Sequence, residues 1–197
     1  MKTITIYSIQ ELEEQFPDAF TKAHKKWQED MDCEPLPWTD EIMDSLKAVV
    51  KAAGLTLKNW SIGPYDGRSF IQVEFNNPEA EQIAGKRAMA WLENNLLGKL
   101  RKPHSKDTLR KRRYSHRAGY IPPCPLTGFY ADMAMLDHLR KATREGDKLK
   151  TAFEKLAEVA CELLEQEAEH VASAEYFRNT CENDESLFTD SGQCIAA

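Results

Sequence analysis

The chain has 197 residues, of which 42% are apolar and 29% are charged, and its formal net charge is −6 at pH 7. That length allows one well-buried domain or two small ones. The sequence has neither an apolar run long enough to span a bilayer nor the apolar core of a signal peptide at its start, which argues against a membrane or secreted protein and predicts a cytoplasmic one. The five cysteines are scattered, and the absence of Cys-x-x-Cys spacing excludes the usual zinc and dithiol redox motifs.

The N-terminal part of the chain predicts a strand followed by three helices. Residues 2–7 alternate threonine and isoleucine, the period-two pattern of a half-buried strand. A capping box of the form Ser-x-x-Glu begins at Ser8 and predicts a short helix. Pro17 suits the first turn of a second helix. A third helix is expected to begin at Thr39 as its N-cap and to end at Gly54.

The middle of the chain predicts a hairpin and one long helix. Residues 55–62 and 69–75 have the composition of strands, and the Gly-Pro-Tyr-Asp-Gly stretch at 63–67 between them is typical of a hairpin loop. Asn77, followed by proline, predicts the N-cap of a helix that runs to about Leu97 and is ended by the next glycine.

The C-terminal part of the chain is predicted to be mostly helical. One is expected over residues 130–144, and the longest is expected to begin after Asp147 as its cap. Ser173 predicts the cap of a further short helix. Residues 187–189 (Leu-Phe-Thr) suit either a last strand or an aromatic plug.

Few strands among many helices predict an α+β fold, a helix-rich single domain over residues 1–197 with a small antiparallel sheet of about three strands. Because a lone hairpin is marginally stable, residues 2–7 are expected to join the hairpin as its third strand. Large apolar side chains of the helices are expected in the core: Trp27, Trp91, Phe153, Leu156 and Leu163.

Positive charge is concentrated in residues 99–117, which we call the basic segment. It holds nine basic residues and one acid, a formal charge of +8, between flanking parts that carry −6 and −8. Such a segment favours phosphate backbones or acidic protein faces, but it is equally consistent with a solvated loop that neutralises the protein's own acidic helices. The candidate partner-binding residues are Lys99, Arg101, Lys102, Lys106, Arg110, Lys111, Arg112, Arg113, Tyr114 and Arg117.

Negative charge lines the outer side of the longest predicted helix, at Glu158, Glu162, Glu165 and Glu169, which we call the acidic face. A row of carboxylates on one helix is most often only a solvated surface. The alternative is a surface that imitates nucleic acid and occupies a basic channel of another protein, because glutamates one turn apart are about 5–6 Å apart, close to the spacing of phosphates.

Catalytic motifs are missing from the sequence. It contains no P-loop, no nucleophile elbow and no His-Glu-x-x-His zinc motif. His24 and His138 are expected to be partly exposed on helices, whereas His104 and His116 fall in the basic segment, where they suit phosphate contacts as well as general-base chemistry. The sequence therefore predicts a non-enzymatic protein without metal or cofactor, and an active site assembled from distant residues stays open as the alternative.

A pattern of aromatic, acidic and glycine residues marks the two ends of the chain, ITIYSIQELEEQFPDAFTKAHKKW and SAEYFRNTCENDESLFTDSGQ. In this pattern the ends, but not the middle, resemble a loose family of phage and mobile-element proteins that are often labelled antitoxin-like. The matching residues are Tyr7, Glu11, Leu12, Ala23, Trp27, Glu175, Asn183, Phe188, Asp190 and Gly192. The tail departs from the usual pattern by having Ser186 and Leu187 before the aromatic residue.

The resemblance implies a phage accessory protein, a class that includes anti-CRISPR and other anti-defence inhibitors, which commonly act by stoichiometric binding. Our first hypothesis is therefore a binding protein that blocks a bacterial nucleic-acid-targeting defence complex through the acidic face, the basic segment or both. The second is a nucleic-acid-binding accessory or antitoxin-like regulator that uses the basic segment on phosphates. The third hypothesis is an enzyme whose active site is assembled from distant residues.

Overall fold

The computed structural model of the protein describes residues 5–31, 36–62, 69–102 and 119–196. Helices dominate these residues, and the predicted α+β class with a small antiparallel sheet is confirmed. The helices are α1 (Ile9–Gln15), α2 (Pro17–Met31), α3 (Thr39–Ala52), α4 (Pro78–Glu81), α5 (Gly85–Leu92), a π-helical turn (Glu93–Leu97), α6 (Gly98–Leu100), α7 (Ala131–Glu145), α8 (Leu149–Glu154), α9 (Leu156–Val171) and α10 (Ala174–Asn183). The strands are β1 (Thr56–Ser61), β2 (Phe70–Glu74), β3 (Leu187–Phe188) and β4 (Cys194–Ala196).

The backbone contacts divide the chain into two compact units. The terminal unit combines Met1–Pro37 with Gln166–Ala197, and the central unit is Trp38–Glu165, so that helix α9 contributes to both. Each unit has its own cluster of buried apolar side chains. The single domain expected from the sequence stays a prediction. Within the described ranges, no helix combines the length and the apolar character that a membrane crossing needs.

The predicted hairpin forms the sheet of the central unit. Strands β1 and β2 are antiparallel, with Trp60 opposite Ile71 and a bulge after Leu57. Ile71 and Val73 are buried and alternate with exposed neighbours on β2, as the period-two pattern requires. The predicted loop at 63–67 lies outside the described residues.

Of the predicted third strand, residues 2–4 lie outside the described residues, and Tyr7 pairs outside the hairpin. The Tyr7 amide donates to the Phe188 carbonyl over 2.8 Å, and the Phe188 amide donates back over 2.9 Å, which joins the start of the chain to β3 in the terminal unit. The sheet of β1 and β2 has two strands in the described part of the chain. The aromatic rings account for this pairing of Tyr7 in the terminal unit. The centroid of the Tyr7 ring lies 4.9 Å from that of Phe16, and the Phe188 side chain is almost fully buried.

The long helix predicted after Asn77 is interrupted. Asn77 does cap α4, since its side chain accepts from the Glu79 amide over 3.0 Å. Gly85 has a φ of +58°, a conformation that a right-handed helix does not allow, and Ala84 before it is exposed. The glycine expected to end this helix, Gly98, instead begins α6.

Two predicted helix caps are displaced by one residue. Thr39 is the first residue of α3, and Trp38, with a φ of +60°, occupies the cap position. Lys148 caps α8 in place of Asp147, whose carboxylate instead accepts from Lys155 at 2.9 Å. Lys155 lies between α8 and α9, so the predicted longest helix is two helices.

Three of the five predicted core residues are confirmed as buried, and two are not. Phe153 and Leu156 are fully buried and Leu163 nearly so. Trp27 and Trp91 are only half-buried and pack at the edges of the two cores. Tryptophan is rarely enclosed completely because of its size.

Candidate functional site

The acidic face lies on the solvent side of α9. All four glutamates are exposed, whereas Leu156, Ala160 and Leu164 on the other side of the helix are buried. Glu158, Glu162 and Glu165 belong to the central unit and extend over about 10 Å of helix at 1.5 Å per residue. Glu169 follows on the part of α9 that belongs to the terminal unit.

These carboxylates form no salt bridge within the described residues. Glu165 accepts only a long hydrogen bond, 3.7 Å, from the Cys161 thiol. Lys155, which interacts electrostatically with Glu158, forms its salt bridge with Asp147. Among the described residues, the acidic face therefore presents carboxylates that no cation pairs at salt-bridge distance.

His138 on α7 lies beside the first part of the acidic face and is half-buried, as predicted. Burial and, after it, the charge of Lys155 lower the pKa of the imidazole, and the carboxylates of Glu158 and Glu162 offset this only in part. One ring nitrogen is hydrogen-bonded to the Ala152 backbone, whereas Nε2 is buried without a partner among the described atoms. The ring is thus held neutral near pH 7, which keeps it from compensating the acidic face.

The basic segment is described only at its start. Lys99 and Lys102 are exposed and Arg101 is half-buried. The other candidate residues lie outside the described ranges: Lys106, Arg110, Lys111, Arg112, Arg113, Tyr114 and Arg117, and with them His104 and His116. Whether any of these residues binds a partner stays a prediction.

A backbone bridge joins Lys102, the last described residue of the basic segment, to Tyr120. The Lys102 amide donates to the Tyr120 carbonyl over 2.7 Å, and the Tyr120 amide donates back to Lys102 over 2.9 Å. This pairing fixes the positions of Lys102 and Tyr120 relative to each other.

A buried ion pair reinforces this bridge. Arg101 donates to both carboxylate oxygens of Glu93, with Nε–Oε1 at 2.9 Å and Nη2–Oε2 at 3.1 Å. Glu93 begins the π-helical turn and is only 8% exposed. Short π-helical stretches are frequent at functional sites. Bidentate pairing of this kind fixes geometry as well as charge, so Glu93 and Arg101 anchor the start of the basic segment.

Asp132 holds the irregular stretch that follows the segment. This fully buried residue of α7 accepts from the amides of Leu126 and Thr127, both at 2.8 Å, and from the Thr127 hydroxyl at 2.9 Å. Residues 121–128 have no regular secondary structure. Both flanks of the undescribed stretch are therefore tied to the central unit by named polar contacts.

A separate groove in the terminal unit offers no obvious chemistry. It has a volume of about 310 Å³ and is lined by Trp27, Phe177 and Cys181, among others. Burial raises the pKa of the Cys181 thiol to about 11, which leaves it protonated and a poor nucleophile near neutral pH. The described residues contain no cluster of three or more side chains able to hold a metal ion.

The sequence analysis missed the residues that anchor the basic segment. Glu93 and Arg101 are eight positions apart, a spacing that faces neither residue toward the other on a regular α-helix, and the π-helical turn between them has no sequence signature. Asp132 had a weak signal, because a carboxylate at the start of a helix is a common acceptor for preceding backbone amides.

Comparisons of the chain with protein-family models, curated proteins and solved structures return no match. The resemblance of the chain ends to phage accessory proteins therefore stays a prediction. Function has to be argued from the surfaces described above.

Proposed function

We propose that this protein is a non-enzymatic inhibitor that binds a bacterial nucleic-acid-targeting defence complex in the host cytoplasm, as anti-CRISPR proteins do, through the acidic face. The observation that carries the proposal is the row of exposed glutamates that the central unit contributes to α9, which have no salt bridge within the described residues: Glu158, Glu162 and Glu165. A complex that holds nucleic acid needs a basic channel, and a regular row of negative charge is complementary to it. The resemblance of the chain ends adds independent support for a phage origin.

The proposal is tested by inhibition of purified RNA-guided nuclease complexes of several types. Cleavage of target DNA is measured as the molar ratio of this protein to the complex is raised. We expect at least one complex to lose activity at about one protein per complex, and excess competing DNA to relieve the inhibition, because both occupy the same channel.

Two matched variants show whether the acidic face is responsible. Replacing Glu158, Glu162, Glu165 and Glu169 with glutamine removes four charges from the acidic face. The control removes four exposed charges elsewhere, Glu14, Glu29, Glu41 and Glu145. Exposed charges contribute little to stability, so both variants are expected to fold. The proposal fails if no complex in the panel is inhibited, or if the acidic-face variant inhibits as well as its control.

A second candidate function, nucleic-acid binding by the basic segment, is favoured by the anchoring of its flanks through Glu93–Arg101 and Lys102–Tyr120. Replacing the four consecutive cations at 110–113 with glutamine should reduce both the affinity for DNA or RNA and its salt dependence in gel shifts. If the segment only neutralises the acidic body, the melting temperature falls and nucleic-acid binding is unchanged.

A further inference from the structure

The central unit contains a cavity outside the surfaces discussed so far. It lies between α5 and α7, has a volume of about 520 Å³ and is lined by Lys86, Met89, Glu93, Thr143 and Arg144, together with two small residues. That volume falls in the range of small-molecule sites, about 300–1,000 Å³. The charge and polarity of these lining residues determine which class of ligand the cavity favours.

The charge of the lining is positive. Lys86 and Arg144 are exposed, and neither forms a salt bridge with a described residue. Glu93 also lines the cavity, but both of its carboxylate oxygens already accept from Arg101. The carboxylate is therefore neutralised, and Lys86 and Arg144 leave the cavity with an excess of two positive charges.

The remaining walls restrict what can bind. Thr143 is fully buried, and its hydroxyl donates to the Leu139 carbonyl over 2.7 Å, which commits its only proton. Met89 contributes an apolar wall. Among the side chains of the described lining, the donors available to a ligand are thus the lysine ammonium and the arginine guanidinium. A guanidinium matches the oxygens of a phosphate with two parallel hydrogen bonds, and an ammonium adds a point charge.

We propose that this cavity binds a small phosphate-bearing ligand, with the phosphate held by Arg144 and Lys86 and the rest of the molecule against Met89. Two cations match the charge of a phosphomonoester near neutral pH, close to two negative charges. The site is independent of the acidic face and goes beyond the inhibitor function proposed above.

The experiment is a titration of the full chain with inorganic phosphate and with adenosine monophosphate, followed by amide chemical shifts. We expect saturable shifts at Lys86–Ala90 and around Arg144, with tighter binding of the nucleotide because it adds contacts to the apolar wall. Sodium acetate at equal ionic strength serves as the monoanion control and should not saturate.

The variant K86Q/R144Q is expected to weaken phosphate binding at least tenfold, and R144K to weaken it less, because it keeps the charge and loses only the paired donors. The control K22Q/K51Q removes two exposed lysines that do not line the cavity and should bind like the wild type. A single-stranded RNA dodecamer is titrated in the same way. The proposal is overturned if phosphate does not saturate the chemical-shift changes, if both double variants lose affinity equally, or if the RNA binds and neither phosphate nor the nucleotide does.

Discussion

The ion pair between Glu93 and Arg101 gives the sharpest test of how the basic segment is anchored. The Glu93 side chain is 11% exposed and the Arg101 side chain 20%, so both charges are largely removed from water. Replacing Arg101 with glutamine leaves the carboxylate buried without its partner. Removal of one member of a buried pair costs about 3–5 kcal/mol, and the remaining exposure places this pair at the lower end, about 3 kcal/mol.

The double variant E93Q/R101Q replaces both charges with neutral amides and should recover about 2 kcal/mol of that loss, because no unpaired charge is left buried. Urea denaturation measures both effects. With a slope of about 2 kcal/mol per molar urea, the R101Q midpoint should fall by about 1.5 M. Amide exchange at Lys102 and Tyr120 should accelerate in R101Q, because their bridge depends on the pair. A loss below about 0.5 kcal/mol in R101Q, or losses in the single variants that simply add, would refute the argument.

Three further predictions concern stability. Leu156→Ala should cost about 2–5 kcal/mol, because the side chain is fully buried, and an unchanged urea midpoint would remove α9 from the core. The pKa of His138 is lowered in the folded protein, so the unfolded chain binds more protons below about pH 6.5. The free energy of unfolding of the wild type should therefore fall from pH 7.5 to 5.5, and it should fall by less in His138→Gln. Gly192 and Gly54 both have positive φ, but a Cβ on Gly192 would lie 2.3 Å from the Ala19 carbonyl oxygen. Gly192→Ala should therefore lower the melting temperature more than Gly54→Ala. Equal shifts in melting temperature would contradict this contact.

Local signals in the sequence were reliable guides to the fold. The capping box at Ser8 and the cap at Ser173 form as predicted, because each depends on residues within one turn. The helix predicted over residues 130–144 forms as α7, and Gly146, with a φ of +102°, is its C-cap. In these places the chemistry of a few neighbouring residues determines the structure.

Contacts between distant residues were not predictable from one sequence. The alternating pattern at residues 2–7 predicts a strand but not its neighbour, and its last residue, Tyr7, pairs with Phe188 near the other end of the sequence. The cavity cations Lys86 and Arg144 come from separate helices, and no periodicity links them. The exposure of the acidic face was predictable, because helical spacing alone places its glutamates opposite the buried leucines.

The composition of the terminal unit has a consequence for the order of events during translation. Glu13 on α1 bonds to Arg178 on α10, 165 residues later in the chain. At about 5–20 residues per second, roughly 8–30 s separate the synthesis of these two partners. During that interval the apolar side of α1 and α2, with Ile9, Leu12 and Phe20, has no native covering from the C-terminal residues. The Glu13–Arg178 pair, and with it the apolar cluster of the terminal unit, can therefore form only after α10 has been synthesised.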